Sequence, residues 1–172
     1  MTADDGISGF QCTLCGSLHN EVPLAFHADA PVWWSSEMLE QPNCELGSDQ
    51  CVIGDESFFI KGLIRVPIVE RDSAFEWGVW VSLSRDNFVH TCEVWETSGR
   101  EREEPMFGWL SSALPTYTEP TVNLRTRVHT QPVGHRPLVE LEPTAPPLAI
   151  EQREGIAWDA LVRRIELLIH PS

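Results

Sequence analysis

Two alternating apolar runs, set close together, constrain this chain most. FFIKGLIRVPIV fills positions 58–69 and FEWGVWVSLS fills 75–84. In the first run Phe58, Ile60, Ile64, Val66 and Ile68 fall on one face, and Phe59, Lys61, Leu63, Arg65 and Pro67 on the other. In the second, Phe75, Trp77, Val79, Val81 and Leu83 share a face, while Trp80 takes the opposite one. A period of two sustained this long marks half-buried strands. The gap at 70–73 suits a hairpin turn between them. Gly78 marks a bulge or a close backbone approach.

Around this hairpin the other elements fall into place. CVI (51–53) followed by Gly54-Asp55 reads as a short strand and its turn. FGWL (107–110), TVNLRTRVHT (121–130) and RPLVELEP (136–143) are further strand candidates. Ser84 reads as an N-cap for a helix through about Glu96, with Phe88, Cys92 and Trp95 on one stripe. On that stripe Cys92 is expected to pack as a small buried hydrophobe. A short helical turn at 148–153, then Gly155, precedes a terminal helix striped by Trp158, Leu161, Val162, Ile165, Leu168 and Ile169. Residues 21–43 hold three prolines and Trp33-Trp34, and predict irregular chain with at most one short helix near 35–40. Strands in succession with one mid-chain and one C-terminal helix give an α+β class: an antiparallel sheet with helices packed on one face. The expected organisation is a leader over 1–9 and a single domain over 10–172, with a knuckle segment spanning 10–51.

Composition narrows the function classes. Twelve Lys/Arg against 26 Asp/Glu give a formal charge of −14. That field repels nucleic acid and anionic membrane and suits a basic protein partner. No apolar run reaches the length of a membrane helix. The acidic start MTADDGISG resembles neither a secretory signal nor a transit peptide, so a cytoplasmic location is expected. Five cysteines, Cys12, Cys15, Cys44, Cys51 and Cys92, argue against a disulfide framework and leave metal, catalysis or burial.

The chemistry concentrates in FQCTLCGSLHN, residues 10–20. Cys12 and Cys15 stand in a Cys-x-x-Cys turn, Gly16 lets it close, and His19 follows. Such a pair supplies two thiolates to one Zn²⁺, which prefers four tetrahedral sulfur or nitrogen ligands. One pair is half a site. Cys12, Cys15, His19 and Cys51 would complete it as Cys₃His, with Cys44 and His27 as alternatives for the remaining positions. The competing readings are a reduced pair packed in the core and a redox dithiol. The latter lacks the strand-to-helix setting that depresses a thiol pKa. There is no G-x-S-x-G, phosphate loop, G-x-G-x-x-G or H-E-x-x-H. Trp77, Trp80 and Trp109 suit an aromatic core or a ligand groove, and His129, His135 and Arg136 read as polar loop residues.

CTLCGSLH, DQCVI (49–53), FFIKGLIRVPI (58–68), WGVWVSLS (77–84), FGWL (107–110), GHRPLVELEPT (134–144) and PLAIEQREGI (147–156) together resemble a bacterial family known as domain of unknown function 2199. The resemblance runs from about 10 to 170. The family is uncharacterised, so it implies no catalytic residue. It does imply that Cys12, Cys15, His19 and Cys51 belong to recurring segments and Cys44 and Cys92 do not, which favours Cys51 over Cys44 as a ligand. Where the family often has a histidine ahead of PLA, Pro146 stands here. The expectation is therefore a non-catalytic binding protein with a structural zinc and an acidic surface. An immunity-type protein that neutralises a basic toxin and a zinc-dependent hydrolase are the alternatives.

Overall fold

The computed structural model describes residues 9–144 and 146–171. The expected leader at 1–9 lies outside these residues except for Gly9.

The two alternating runs form the long strands β6 (Ser57–Pro67) and β7 (Ala74–Leu83), paired antiparallel from Phe58↔Leu83 to Pro67↔Ala74. Their inward faces are those read from the sequence. Ile60, Ile64, Val66, Phe75, Trp77, Val79 and Val81 are all buried. From β7 the sheet continues antiparallel through β8 (Met106–Leu110), β9 (Arg125–His129) and β10 (Leu138–Leu141). β10 then returns to β6, so β6-β7-β8-β9-β10 closes into a five-stranded barrel.

Closure corrects the expected antiparallel sheet, and strand parity gives the reason. In an up-and-down series of five, the first and last strands run the same way, so the seam that closes the ring is parallel. The single register pair of that seam is Leu138↔Leu63. A barrel this narrow fills its interior with side chains, which accounts for the core of β-branched and aromatic residues.

β6 and β7 are long enough to take two neighbours along one edge. The first half of β6 pairs with β5 (Gln50–Ile53), which pairs in turn with β4 (Glu45–Leu46). β7 takes one further partner, β3 (Ala25–His27), which runs parallel to it, in the segment expected to be irregular. The short helix expected at 35–40 is a 3-10 turn, Ser36–Glu40. Along β6 the sequence Phe58–Lys61 is buried on both faces. Phe59, Cys51 and Trp80 form a second apolar cluster outside the barrel, joined by Ala28, Trp34, Leu46 and Ile53. Trp80 Nε1 donates to Ala28 O at 3.0 Å. This cluster holds the 28–46 segment on the sheet.

The helices fall where expected. α1 (Arg85–Glu93) is capped by Ser84, whose Oγ accepts from Asn87 N at 3.1 Å. Phe88 turns inward and packs its ring, tilted, against that of Phe58 at 5.2 Å. Cys92 corrects the sequence reading: it is exposed, and Thr91 is buried in its place. The helical stripe is rotated by one position, so that Phe88 and Thr91 (i, i+3) meet the sheet. α2 (Pro147–Glu154) lies against β6 and β10, and α3 (Trp158–Ile169) buries Leu161 and Ile165. No helix among the described residues is long and apolar enough to cross a membrane.

Two buried arginines hold separate parts of the chain together, one through carbonyls and one through an acid. Arg100 donates to the carbonyls of Trp95, Gln131, Pro132 and His135. Arg164 of α3 holds Glu151 of α2 at 2.6 and 3.0 Å. Glu151 also accepts from the Tyr117 hydroxyl at 2.8 Å, and that oxygen accepts from Trp77 Nε1 at 2.9 Å. The barrel, the 111–124 connection and both C-terminal helices are therefore joined by one chain of buried polar contacts.

Candidate metal centre

The opening arm folds on itself before it reaches the barrel. β1 (Phe10–Gln11) and β2 (Leu18–His19) pair antiparallel around the Cys-x-x-Cys turn. Gly16 N donates to Cys12 O, and Cys12 N to Ser17 O, each at 3.0 Å. Gly16 sits at φ 75°, the left-handed region that glycine enters without Cβ strain. The turn brings Cys15 Sγ within 3.3 Å of His19 Nε2. Phe10 stacks on the His19 ring at 5.1 Å and fixes its plane.

The turn docks on the end of α3. The Glu166 carboxylate accepts from Thr13 N at 3.0 Å and from Thr13 Oγ1 at 2.6 Å. These bonds hold the Glu166 carboxyl below its ordinary range, the hydroxyl contributing most. One helical turn on, His170 N donates to Glu166 O, and its ring lies 5.5 Å from that of His19. One acid thus grips the knuckle and sets the residue that presents His170 to it.

The outcome is a four-membered group. One ligand atom each from Cys12, Cys15, His19 and His170 lies within 4.8 Å of the others. Metal–ligand bonds of about 2.0–2.3 Å in a tetrahedron put ligand atoms roughly 3.3–3.8 Å apart, so the Cys15–His19 separation already has that spacing. Cys12 is buried, Cys15 exposed, and both histidines lie between. The donor chemistry also fits. His170 Nε2 is buried and makes no hydrogen bond, an orphan that a metal ion would satisfy. The Ser17 backbone amide, helped by His19 and Cys12 against partial desolvation, draws the Cys15 thiol from 9.0 down to about 6. Thiolate is the form that binds metal.

Three of the four residues singled out from the sequence, Cys12, Cys15 and His19, thus meet. Cys51 does not join them: it lies on β5 in the Phe59–Trp80 cluster, where burial pushes its thiol up to about 11. A neutral thiol in an apolar setting behaves as a packing group. The alternatives also lie elsewhere. His27 packs over Gly78 on β7, and Cys44 accepts from Gly54 N at 3.4 Å. His170 carried no local signal. It follows the α3 stripe, with no second ligand near it in sequence, and reaches the site only because α3 lies against the arm.

Fold and site together define a five-stranded barrel whose opening arm brings Cys12, Cys15 and His19 beside His170, just past the last helix. A family profile described as an uncharacterized protein conserved in bacteria, DUF2199, matches residues 11–156. The chain belongs to that family. The matched span includes Cys12, Cys15, His19 and Cys51 and ends before α3 and His170. No curated protein and no solved structure matches.

Proposed function

We propose that this is a non-catalytic binding protein, braced by one structural Zn²⁺ on Cys12, Cys15, His19 and His170, that presents an acidic surface to a basic protein partner. The four-residue cluster carries the reading. Four protein ligands fill a tetrahedral ion and leave no position for a water or substrate, as in structural rather than catalytic zinc sites. Bound there, the ion would supply a crosslink between the two ends of the described fold and no reaction.

Charge supports the partner. The sequence carries −14, and three of its twelve cations, Lys61, Arg100 and Arg164, are buried, against one buried acid among the described residues, Glu166. The exposed surface is therefore more acidic than the formal sum. Such a surface speeds encounter with a basic partner and makes the complex salt-sensitive.

The test is metal content with ligand variants. Purified protein should carry one zinc per chain by native mass spectrometry. Cobalt substitution should give the intense visible bands of a tetrahedral thiolate site. His170→Ala should lose the ion or bind it at least about tenfold more weakly, on the scale of losing one ligand contact, while Cys51→Ser retains it. Metal retained in His170→Ala and lost in Cys51→Ser would return the fourth position to Cys51. A five-coordinate cobalt spectrum would favour the hydrolase reading.

A further inference from the structure

The parallel seam of the barrel does not stay closed. β6 and β10 are in contact at Gly62, where a Cβ would lie 2.6 Å from Val139 Cγ2 and 3.0 Å from Pro137 O. They pair once more, at Leu63 and Leu138. Further along, β6 turns to another partner: Ile156 N donates to Pro67 O at 2.8 Å. Between these two points the seam opens into a cavity of 440 Å³. Leu63, Leu138, Val139 and Leu141 give it an apolar floor. Its polar rim is Arg65 from β6, His129 from β9, Glu140 from β10 and Arg153 from α2.

We propose that this cavity binds a small organic anion: a carboxylate or phosphate head on an apolar body of a few carbons. Its rim reverses the sign of the molecule. Two arginines and a histidine face one acid, on a chain that carries −14 overall. Among the described residues neither arginine forms an ion pair. Arg65 is exposed, and Arg153 uses Nη1 to reach Thr144 O at 3.1 Å, which leaves the rest of its guanidinium for a ligand. The lone acid faces the histidine, not the arginines: Glu140 Oε1 lies 3.6 Å from His129 Nε2, an ion pair when the imidazole is protonated. That imidazole nitrogen is buried and makes no hydrogen bond at all. Unpaired guanidinium groups offer planar forks that match carboxylate and phosphate oxygens. The leucines below would take the apolar body, and the volume is in the range of small-molecule sites.

The proposal stands apart from the metal centre, and its test needs no metal. Hexanoate and hexyl phosphate are titrated into the whole protein by calorimetry, with 1-hexanol as the uncharged control. Either anion should bind at least about tenfold more tightly than hexanol, and the tighter of the two names the head group. Arg65→Gln and Arg153→Gln should each weaken the anion about tenfold. Arg125→Gln on β9, outside the cavity, should leave it unchanged. Arg65 forms no ion pair, so its variant should melt with the wild type and decides the matter if Arg153→Gln is unstable. Equal binding of hexanol and both anions, anion binding untouched by Arg65→Gln, or no binding of either anion at millimolar concentration would each overturn the assignment.

Discussion

Asp49 sits in the turn between β4 and β5, and its carboxylate accepts from Arg136 Nε at 2.8 Å and from Ser48 Oγ at 3.0 Å. Burial alone would raise this carboxyl; the Arg136 guanidinium and the Ser48 hydroxyl outweigh it and hold the group below 3.8. A carboxyl depressed in the folded state contributes stability that is complete above its unfolded value. That stability drains away as pH falls through the folded value, because the unfolded chain takes the proton first. Asp49→Asn should lower the urea midpoint at pH 6 by an amount worth about 0.5–1 kcal/mol, the scale of a partly exposed pair. Its stability should then approach that of the wild type as both are taken to pH 3. Two curves that stay parallel over that range would show that the pair contributes nothing.

At this scale the sequence was legible where the chemistry is local. Cys12, Cys15, Gly16 and His19 lie within one turn of chain, and each restricts the next. His170 and the Thr13–Glu166 contact depend on two chain ends meeting, which no spacing records. Cys51 misled because a cysteine in a strand reads the same as ligand or packing group; only its surroundings, Phe59 and Trp80, separate the two.

Among the elements, periodicity found β6, β7, α1 and α3, because each buries one face over many residues. It missed the short β3 and the barrel closure, whose evidence is a neighbour rather than a pattern. The seam shows how closure is managed. α2 lines one side of the opening, and the Gln152 amide stands in for a missing strand: Leu141 N donates to Gln152 Oε1 at 2.7 Å, and Gln152 Nε2 donates to Val139 O at 2.8 Å. A side chain thereby satisfies two backbone groups of β10. Gln152→Met keeps the length and removes both partners. A buried unpaired backbone group costs about 1–3 kcal/mol, so the variant should lose about 2 kcal/mol or more. For a chain of this size that lowers the melting temperature by roughly 4–8 °C. A calorimetric scan checks it; a melt within 1 °C or so of wild type, at the level of an ordinary surface change, would mean that water replaces the amide.

For the whole molecule, the question is what holds the arm at residues 9–20 to the barrel. Ordering a residue costs about 1–2 kcal/mol of backbone entropy. Phe10 and Cys12 are buried, Phe10 worth roughly 2 kcal/mol, and Thr13 makes two hydrogen bonds to the Glu166 carboxylate. Those contacts fall short over an arm of this length, whose own sheet has two register pairs among the described residues. The zinc proposed above would contribute on the order of 10 kcal/mol, enough to close the difference. The 28–46 segment needs no such help, since Trp80 and its neighbours bury it. Chelation should therefore act unevenly. Amides of 9–20 and the last turn of α3 should exchange quickly once the ion is removed, while those of β6 and β7 keep most of their protection. The melting temperature should fall by several degrees, because an ion that binds only the folded state stabilises it by mass action. Re-addition of zinc should restore both signals in the wild type and neither in His170→Ala. If 9–20 stays as protected after confirmed loss of metal as before, the packing of Phe10 and Cys12 and the Glu166 contacts suffice, and the ion is not what fastens the arm.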